Sequence, residues 1–153
     1  MVDSRCRTVT LEEVTLNNFN DCAALERKSS RFVGNAESVL ALAYVYRENS
    51  LAYAICSDET IIGLVILRVN PQESRPYSFT EMFIADGFQR QGYGKQAVKA
   101  ILEKFRKEMK SELVQIQVHD SNEVAIKIYE QCGFVEISRA KWNNEFLVME
   151  LQL

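Results

Sequence analysis

Residues Gln89-Arg90-Gln91-Gly92-Tyr93-Gly94 stand between an apolar, strand-like run and a long amphipathic helix pattern. Glycines at such a junction let a backbone come close to a ligand, and the helix behind them offers unpaired N–H groups and its positive dipole end to an anion. The segment therefore reads as a pyrophosphate cradle, and three readings compete for it. A magnesium-nucleotide loop is excluded, because Gly94-Lys95 is followed by Gln96 where that loop needs Ser or Thr. A dinucleotide fingerprint is formally met by Gly92-x-Gly94-x-x-Ala97, yet Asp86 to Gln91 intervene between strand and glycine, and no second mononucleotide half is present. A glycine-rich helix start without a ligand is the third reading.

Other side chains could move protons or hold cations. Glu81 interrupts the apolar run Phe79-Thr80-Glu81-Met82-Phe83-Ile84. A carboxylate there either faces a cleft, where it could deprotonate an ammonium, or points to solvent by strand alternation. His119, the only histidine, could relay a proton or cap the turn it ends in. Glu37, Tyr44 and Glu48 lie along one helix pattern, and carboxylates with an aromatic face suit a cationic amine. They equally suit a solvated helix face with Tyr44 packed inward. The four cysteines, Cys6, Cys22, Cys56 and Cys132, are scattered without a CxxC pair. That excludes zinc patterns and argues for reduced, buried or half-buried thiols rather than a disulfide framework or a metal site.

Periodicity supplies the elements that must position these groups. Strands are expected over residues 7–14, 52–56, 61–69, 78–85, 113–118, 134–139 and 146–151. A short helix runs from about Leu16 to Glu26, with Asn17 or Asn18 at its start, and a second covers 36–47 after the turn-like Gly34-Asn35. The long helix, 92–109, repeats Ala97, Val98, Ile101, Leu102, Phe105 and Met109 at helical spacing. The last helix, 123–131, follows the N-cap residues Asp120-Ser121-Asn122 and ends at Gly133, which suits a left-handed terminator. Pro71 and Pro76 mark a loop between two strands, and Asn143-Asn144 turns a closing hairpin. The order β-α-α-β-β-β-α-β-α-β-β describes an α/β (α+β) mixed sheet with helices on its faces.

At 153 residues, with 47% hydrophobic and 25% charged residues, the chain is expected to fold as a single domain spanning residues 1–153. No leader-like apolar segment follows Met1-Val2-Asp3-Ser4-Arg5, and no apolar run reaches membrane-spanning length. A soluble, cytoplasmic protein is expected, with no membrane partner. A net charge of −3 disfavours nucleic acid as a partner and suits a cationic small molecule.

The Gln/Arg-x-x-Gly-x-Gly segment after a strand resembles the acetyl-coenzyme A motif of the GCN5-related N-acetyltransferase (GNAT) superfamily. A second signature follows at the spacing of that family: Asn122-x-x-Ala125-x-x-x-Tyr129-Glu130-x-Cys132-Gly133-Phe134. The resemblance covers nearly the whole chain. Phe32-Val33-Gly34-Asn35, Glu37-Ser38 and Ala43-Tyr44-Val45-Tyr46 further resemble the acceptor side of bacterial polyamine (spermidine/spermine or diamine) acetyltransferases.

The resemblance implies a GNAT fold, a six- to seven-stranded, mostly antiparallel sheet with a splayed central parallel pair, flanked by four helices. Strands 78–85 and 113–118 would be that pair, with the pantetheine arm of acetyl-coenzyme A wedged between them. Backbone groups of Met82, Phe83 and Ile84 would pair with its amides and polarise the thioester carbonyl. N–H groups of Gln91, Gly92, Tyr93, Gly94 and Lys95, after Gln89, would hold the pyrophosphate, with Arg90 and Lys95 adding charge. Tyr129 would be the general acid for the leaving thiolate, two helical turns past Asn122 and on the same face. Asn122 would touch cofactor or cap the helix, and Glu81 would be the general base or line the acceptor site with Glu37 and Tyr44. Gln117 falls where some relatives carry Glu. The implied activity is direct transfer, in a ternary complex, to a small-molecule amine, a polyamine first. Aminoglycosides, amino acids, protein N-termini and a non-catalytic cofactor-binding module are the alternatives. Homodimers are frequent in the family, with residues 146–153 expected to offer a sheet edge to a second copy.

Overall fold

The computed structural model describes residues 7–28, 31–68 and 76–153. Among them the chain runs β1 (Val9–Glu13), α1 (Phe19–Ala23), α2 (Ala36–Val45), β2 (Ser50–Ser57), β3 (Thr60–Arg68), β4 (Ser78–Ile84), α3 (Tyr93–Lys107), β5 (Leu113–His119), α4 (Glu123–Gln131), β6 (Val135–Arg139) and β7 (Phe146–Gln152). The expected order is met, and α4 has the expected bounds. The expected end of β3 at Val69, most of the proline-marked loop, and Cys6 lie outside the described residues.

The strands form two antiparallel sheets, β1-β2-β3-β4 and β5-β7-β6. They touch at a parallel bridge between Tyr77 and Val114, where the Gln115 N–H donates to the Tyr77 carbonyl at 2.9 Å. Beyond that bridge no ladder joins β4 to β5 among the described residues, so the two strands splay while running the same way. This is the splayed parallel pair that the resemblance implies, and the described residues form seven strands and four α-helices.

Strand alternation sorts the core into two layers. Tyr53, Ile55, Val65, Leu67 and Phe79 pack with α3 and α4 residues such as Ala97, Ile101, Phe105 and Tyr129. Their alternates Ala54, Cys56, Leu64 and Ile66 pack with Ala36, Val39 and Ala43 of α2 and Cys22 of α1. The apolar stripe of α3 is buried as its periodicity requires: Ala97, Val98, Ile101 and Phe105 are each at 0% exposure.

On β4 the alternation breaks. Leu64 pairs with Phe83 and Ile66 with Thr80, so Val65 alone opposes both Glu81 and Met82. This is a β-bulge, and Glu81 takes the left-handed φ of 53°. Gly63 makes the distortion feasible, since a Cβ there would stand 2.2 Å from the Phe83 carbonyl oxygen.

Two expectations change. The first helix stops at Ala23 rather than near Glu26, because the next residues leave the helix to bind the end of β4. The Asp86 N–H donates to the Glu26 carbonyl (3.0 Å), and the Lys28 N–H donates to Asp86 Oδ2 (2.7 Å). β7 is not a free edge, because it pairs with β5 on one side and β6 on the other. The edges of this sheet are β6 and β5, and β5 turns its free side towards β4 across the splay. No helix among the described residues is long and apolar enough to cross a membrane.

Candidate active site

The C-terminal end of β4 leads into the cradle. A 3₁₀ turn over Asp86–Phe88 follows the strand, and Gln89 folds back so that its Nε2 donates to the Ile84 carbonyl at 2.9 Å. Gln91 Nε2 reaches the Gly87 carbonyl at 3.4 Å, and Arg90 (φ 61°) reverses the chain with an exposed side chain. Gly92 caps α3 at φ 81° with no side-chain cap. Among the described residues, no N–H from Gln91 to Lys95 donates to a protein carbonyl, so these donors converge on the open helix start. Lys95 is half-buried beside them. Tyr93 contributes only its backbone, since its ring is buried and its hydroxyl accepts from Arg7 Nη1 (2.9 Å) and Ser57 Oγ (3.3 Å). Gly94 keeps α3 close to α4, because a Cβ would meet Ile128 Cδ1 at 3.1 Å.

The splay opens a cleft of about 590 Å³ on the α2 side of the sheet, with Thr80 and Glu81 on one wall and Gln115 and Gln117 on the other. The bulge turns Glu81 into this cleft. Unbroken alternation from Phe79 would have aimed residue 81 at the α3–α4 layer, and Met82 packs there instead. Burial pushes the Glu81 carboxyl above its ordinary range, while the Gly34 N–H and the Arg27 guanidinium pull it back. Arg27 lies over the Phe83 ring at 5.1 Å and also feels Asp86. Gly34 and Phe32 bring the segment before α2 across the mouth of the splay, since Phe32 packs on His119 of β5 at 5.5 Å.

Tyr129 lies on the opposite face, 5.8 Å from the Phe79 ring and 5.9 Å from Phe134. Burial pushes its phenol up to about 12, and no hydrogen bond to its hydroxyl contributes among the described residues. It therefore holds its proton at neutral pH. Asn122 caps α4, its Oδ1 accepting from the Ala125 N–H at 3.3 Å. His119 Nδ1 accepts from the Ser121 N–H (3.1 Å), so this ring stabilises the turn before α4. Gln117 Oε1 accepts from Trp142 Nε1 at 2.7 Å.

Glu37 borders a separate, shallow depression with Phe19 and Leu40, and Tyr44 is 66% exposed beneath the Arg47 guanidinium at 4.2 Å. Leu42 and Tyr46, one turn apart on the other stripe of α2, line the cleft instead. Their i, i+4 spacing in 36–47 was the available signal. Arg68 and Gln115 also line it, and the signal for Arg68 was a charge ending an otherwise apolar strand. Cys22 and Cys56 are buried and Cys132 half-buried, all as free thiols.

A helix start rich in free N–H donors, an open strand edge and a half-buried carboxyl at the splay suit a long anionic thioester on one face and an amine on the other. The donor set fits a pyrophosphate, and the unladdered edge of β4 fits an amide-bearing arm. This combination defines an acyltransferase that draws on coenzyme A. The chain belongs to the acetyltransferase (GNAT) family, whose model matches residues 19–134. It is an acetyl-coenzyme A-dependent N-acetyltransferase. No curated protein matches it. Its fold is similar to spermidine N-acetyltransferase from Vibrio cholerae in complex with CoA and spermine (TM-score 0.73, 18% identity, covering 95% of both chains). It is also similar to the aminoglycoside acetyltransferase AAC(6')-Ib in complex with coenzyme A (TM-score 0.77, 18% identity, 95% of both). A GNAT-family acetyltransferase from Streptococcus pneumoniae aligns at TM-score 0.69 and 13% identity, over 95% of this chain and 99% of that one.

Proposed function

We propose that this protein transfers an acetyl group directly to the primary amine of a small molecule bound in the Glu81–Gln117 cleft. The observation that carries this reading is the bulge. It turns a carboxyl with a raised pKa into the cleft while leaving the β4 edge open to the splay. Acetyl-coenzyme A supplies the activated thioester. Gln91 to Lys95 hold its pyrophosphate through their N–H groups, and Met82 to Ile84 offer backbone donors and acceptors to the arm and the carbonyl. Glu81, directly or through water, takes the proton that the acceptor ammonium must lose before its nitrogen can attack. The new N–C bond replaces the C–S bond, and Tyr129 Oη delivers its proton to the leaving sulfur. Tyr129 and Glu81 serve opposite faces of one opening, so donor and acceptor meet without a covalent enzyme intermediate.

Spermidine and spermine are the acceptors that the 32–46 segment brings forward. Glu37 and Tyr44, however, lie outside the cleft, and Glu81 is the one carboxylate among the described residues that line it. The test is coenzyme A release from acetyl-coenzyme A with polyamines, aminoglycosides, amino acids and a peptide compared side by side. Initial rates with the best acceptor should give intersecting lines for a ternary complex; parallel lines would reject direct transfer. Tight acetyl-coenzyme A binding with no thiol release for any amine would reject the proposed reaction.

A further inference from the structure

Arg68 ends β3 at the far end of the cleft from the pyrophosphate cradle. It pairs with Ser50 on β2 and Ser78 on β4, and all three residues line the cleft. Its Nε is buried and has no hydrogen-bond partner, and no ion pair involves its guanidinium among the described residues. A buried donor left unpaired is unfavourable by itself, and a guanidinium in a cleft presents a planar fork matched to a carboxylate. The charge is not spent on Glu81, whose cationic neighbour is Arg27. Nor does it serve the cofactor phosphates. The cradle follows the last residue of β4, whereas Arg68 faces the first, roughly 20 Å away at about 3.3 Å per residue. Glu81, by contrast, is three residues from Ser78, roughly 10 Å along the strand.

Resting on the acetyl-transfer reading above, we infer that the acceptor is a small zwitterion. Its primary amine lies at Glu81, and its anionic group, a carboxylate, is held by the Arg68 guanidinium. The cleft then matches its ligand in charge: one carboxyl for the ammonium, one guanidinium for the carboxylate, and the amides of Gln115 and Gln117 along the wall between. A polycation would instead place an ammonium against Arg68, at the expense of like-charge repulsion in a confined site.

Matched acceptors isolate the carboxylate. Lysine differs from cadaverine, and ornithine from putrescine, by that group alone; β-alanine, phosphoethanolamine and ethanolamine separate a carboxylate from a phosphate and from no anion. The wild type should favour lysine and ornithine over the diamines by roughly tenfold or more in kcat/KM. Arg68→Gln should bring that ratio close to one, chiefly through KM, and Arg68→Lys should keep part of it. A wild-type preference for the diamines, a ratio unmoved in Arg68→Gln, or selection of phosphoethanolamine over β-alanine overturns the inference. Calorimetry keeps the two proposals separate. Should acetyl-coenzyme A bind while no amine is acetylated, the acetyl-transfer reading fails. The same pairs titrated into the coenzyme A-bound protein then read Arg68 directly. Tighter binding of lysine than cadaverine, lost in Arg68→Gln, supports the zwitterion site; equal binding rejects it.

Discussion

Phe79 and Phe83 are four positions apart on β4 yet are buried on opposite faces of the sheet. Phe79 packs in the α3–α4 layer against Tyr129, Phe83 in the α2 layer beneath Arg27. In an unbroken strand, residues an even number apart share a face. The extra residue at Glu81–Met82 reverses that parity, and the carboxyl at the reversal enters the cleft. One inserted position therefore links the core to the chemistry, because it lets both aromatic anchors stay buried while a charged group is exposed to a ligand.

The bulge depends on Gly63. Adding a Cβ 2.2 Å from the Phe83 carbonyl oxygen forces β3 and β4 apart. Gly63→Ala is expected to lower stability by about 1–3 kcal/mol, a usual range for overpacking a filled interior. Denaturant unfolding measures it, and an unchanged midpoint would show that the strands have room to spare.

Ionisation of Glu81 should set the acid limb of the reaction. Its carboxyl is raised by burial, so kcat/KM should climb with pH through a value above the ordinary glutamate range. Glu81→Gln should lose that limb and much of the rate. The stability effect has the opposite sense. A raised folded pKa favours the protonated form, so this contribution is present below the unfolded value and lost as pH rises through the folded one. Glu81→Gln should accordingly melt higher than wild type at neutral pH, with the gap closing in acid. A pH–rate profile identical to wild type would take Glu81 out of the proton transfer.

For Tyr129, Tyr129→Phe should lower kcat by roughly 10²–10⁴-fold while leaving acetyl-coenzyme A affinity nearly unchanged. Thermal melts give a second readout. Burial pushes the folded phenol up to about 12 from its ordinary value of 10, so its contribution is complete below pH 10 and fades towards pH 12. Wild type should lose melting temperature relative to Tyr129→Phe across that window. Parallel melting curves, with kcat preserved under a saturating amine, would make Tyr129 a packing residue.

Gly92 holds φ 81° at the start of α3, where an L side chain is strained. Gly92→Ala should weaken acetyl-coenzyme A binding by about tenfold, corresponding to roughly 1–2 kcal/mol of left-handed strain. Because a Cβ there would meet only the flexible Gln96 side chain, its Nε2 at 4.0 Å, the core should hold. Calorimetric affinity equal to wild type would mean that the cradle tolerates another backbone path.

Local chemistry made much of the protein legible. The apolar stripe of α3, the Asn122 cap and Gly133 at φ 99° are decided within a few residues, by helix geometry and by glycine's freedom at left-handed φ. The cradle is local as well, because a strand end, glycines and a helix start suffice to assemble it. Hydrogen-bond competition over distance was not legible: residues 26–28 leave α1 for Asp86, fifty-eight positions away in the case of Lys28.

The acceptor side belongs to tertiary structure throughout. Period-two reasoning leaves Glu81 undecided, because a bulge is set by the partner strand and by Gly63, not by the pattern of β4 itself. Glu37 and Tyr44 share a helix with Leu42 and Tyr46, and only the seating of α2 on the sheet selects the stripe that meets the cleft. Arg68 and Glu81 gain a common cleft from strand register and splay, which are long-range pairings that no local window contains. The proposed donor cradle is contiguous backbone, and so it was legible in the sequence alone. The proposed acceptor cleft, lined by side chains from separate strands and a helix, exists only once the sheet opens.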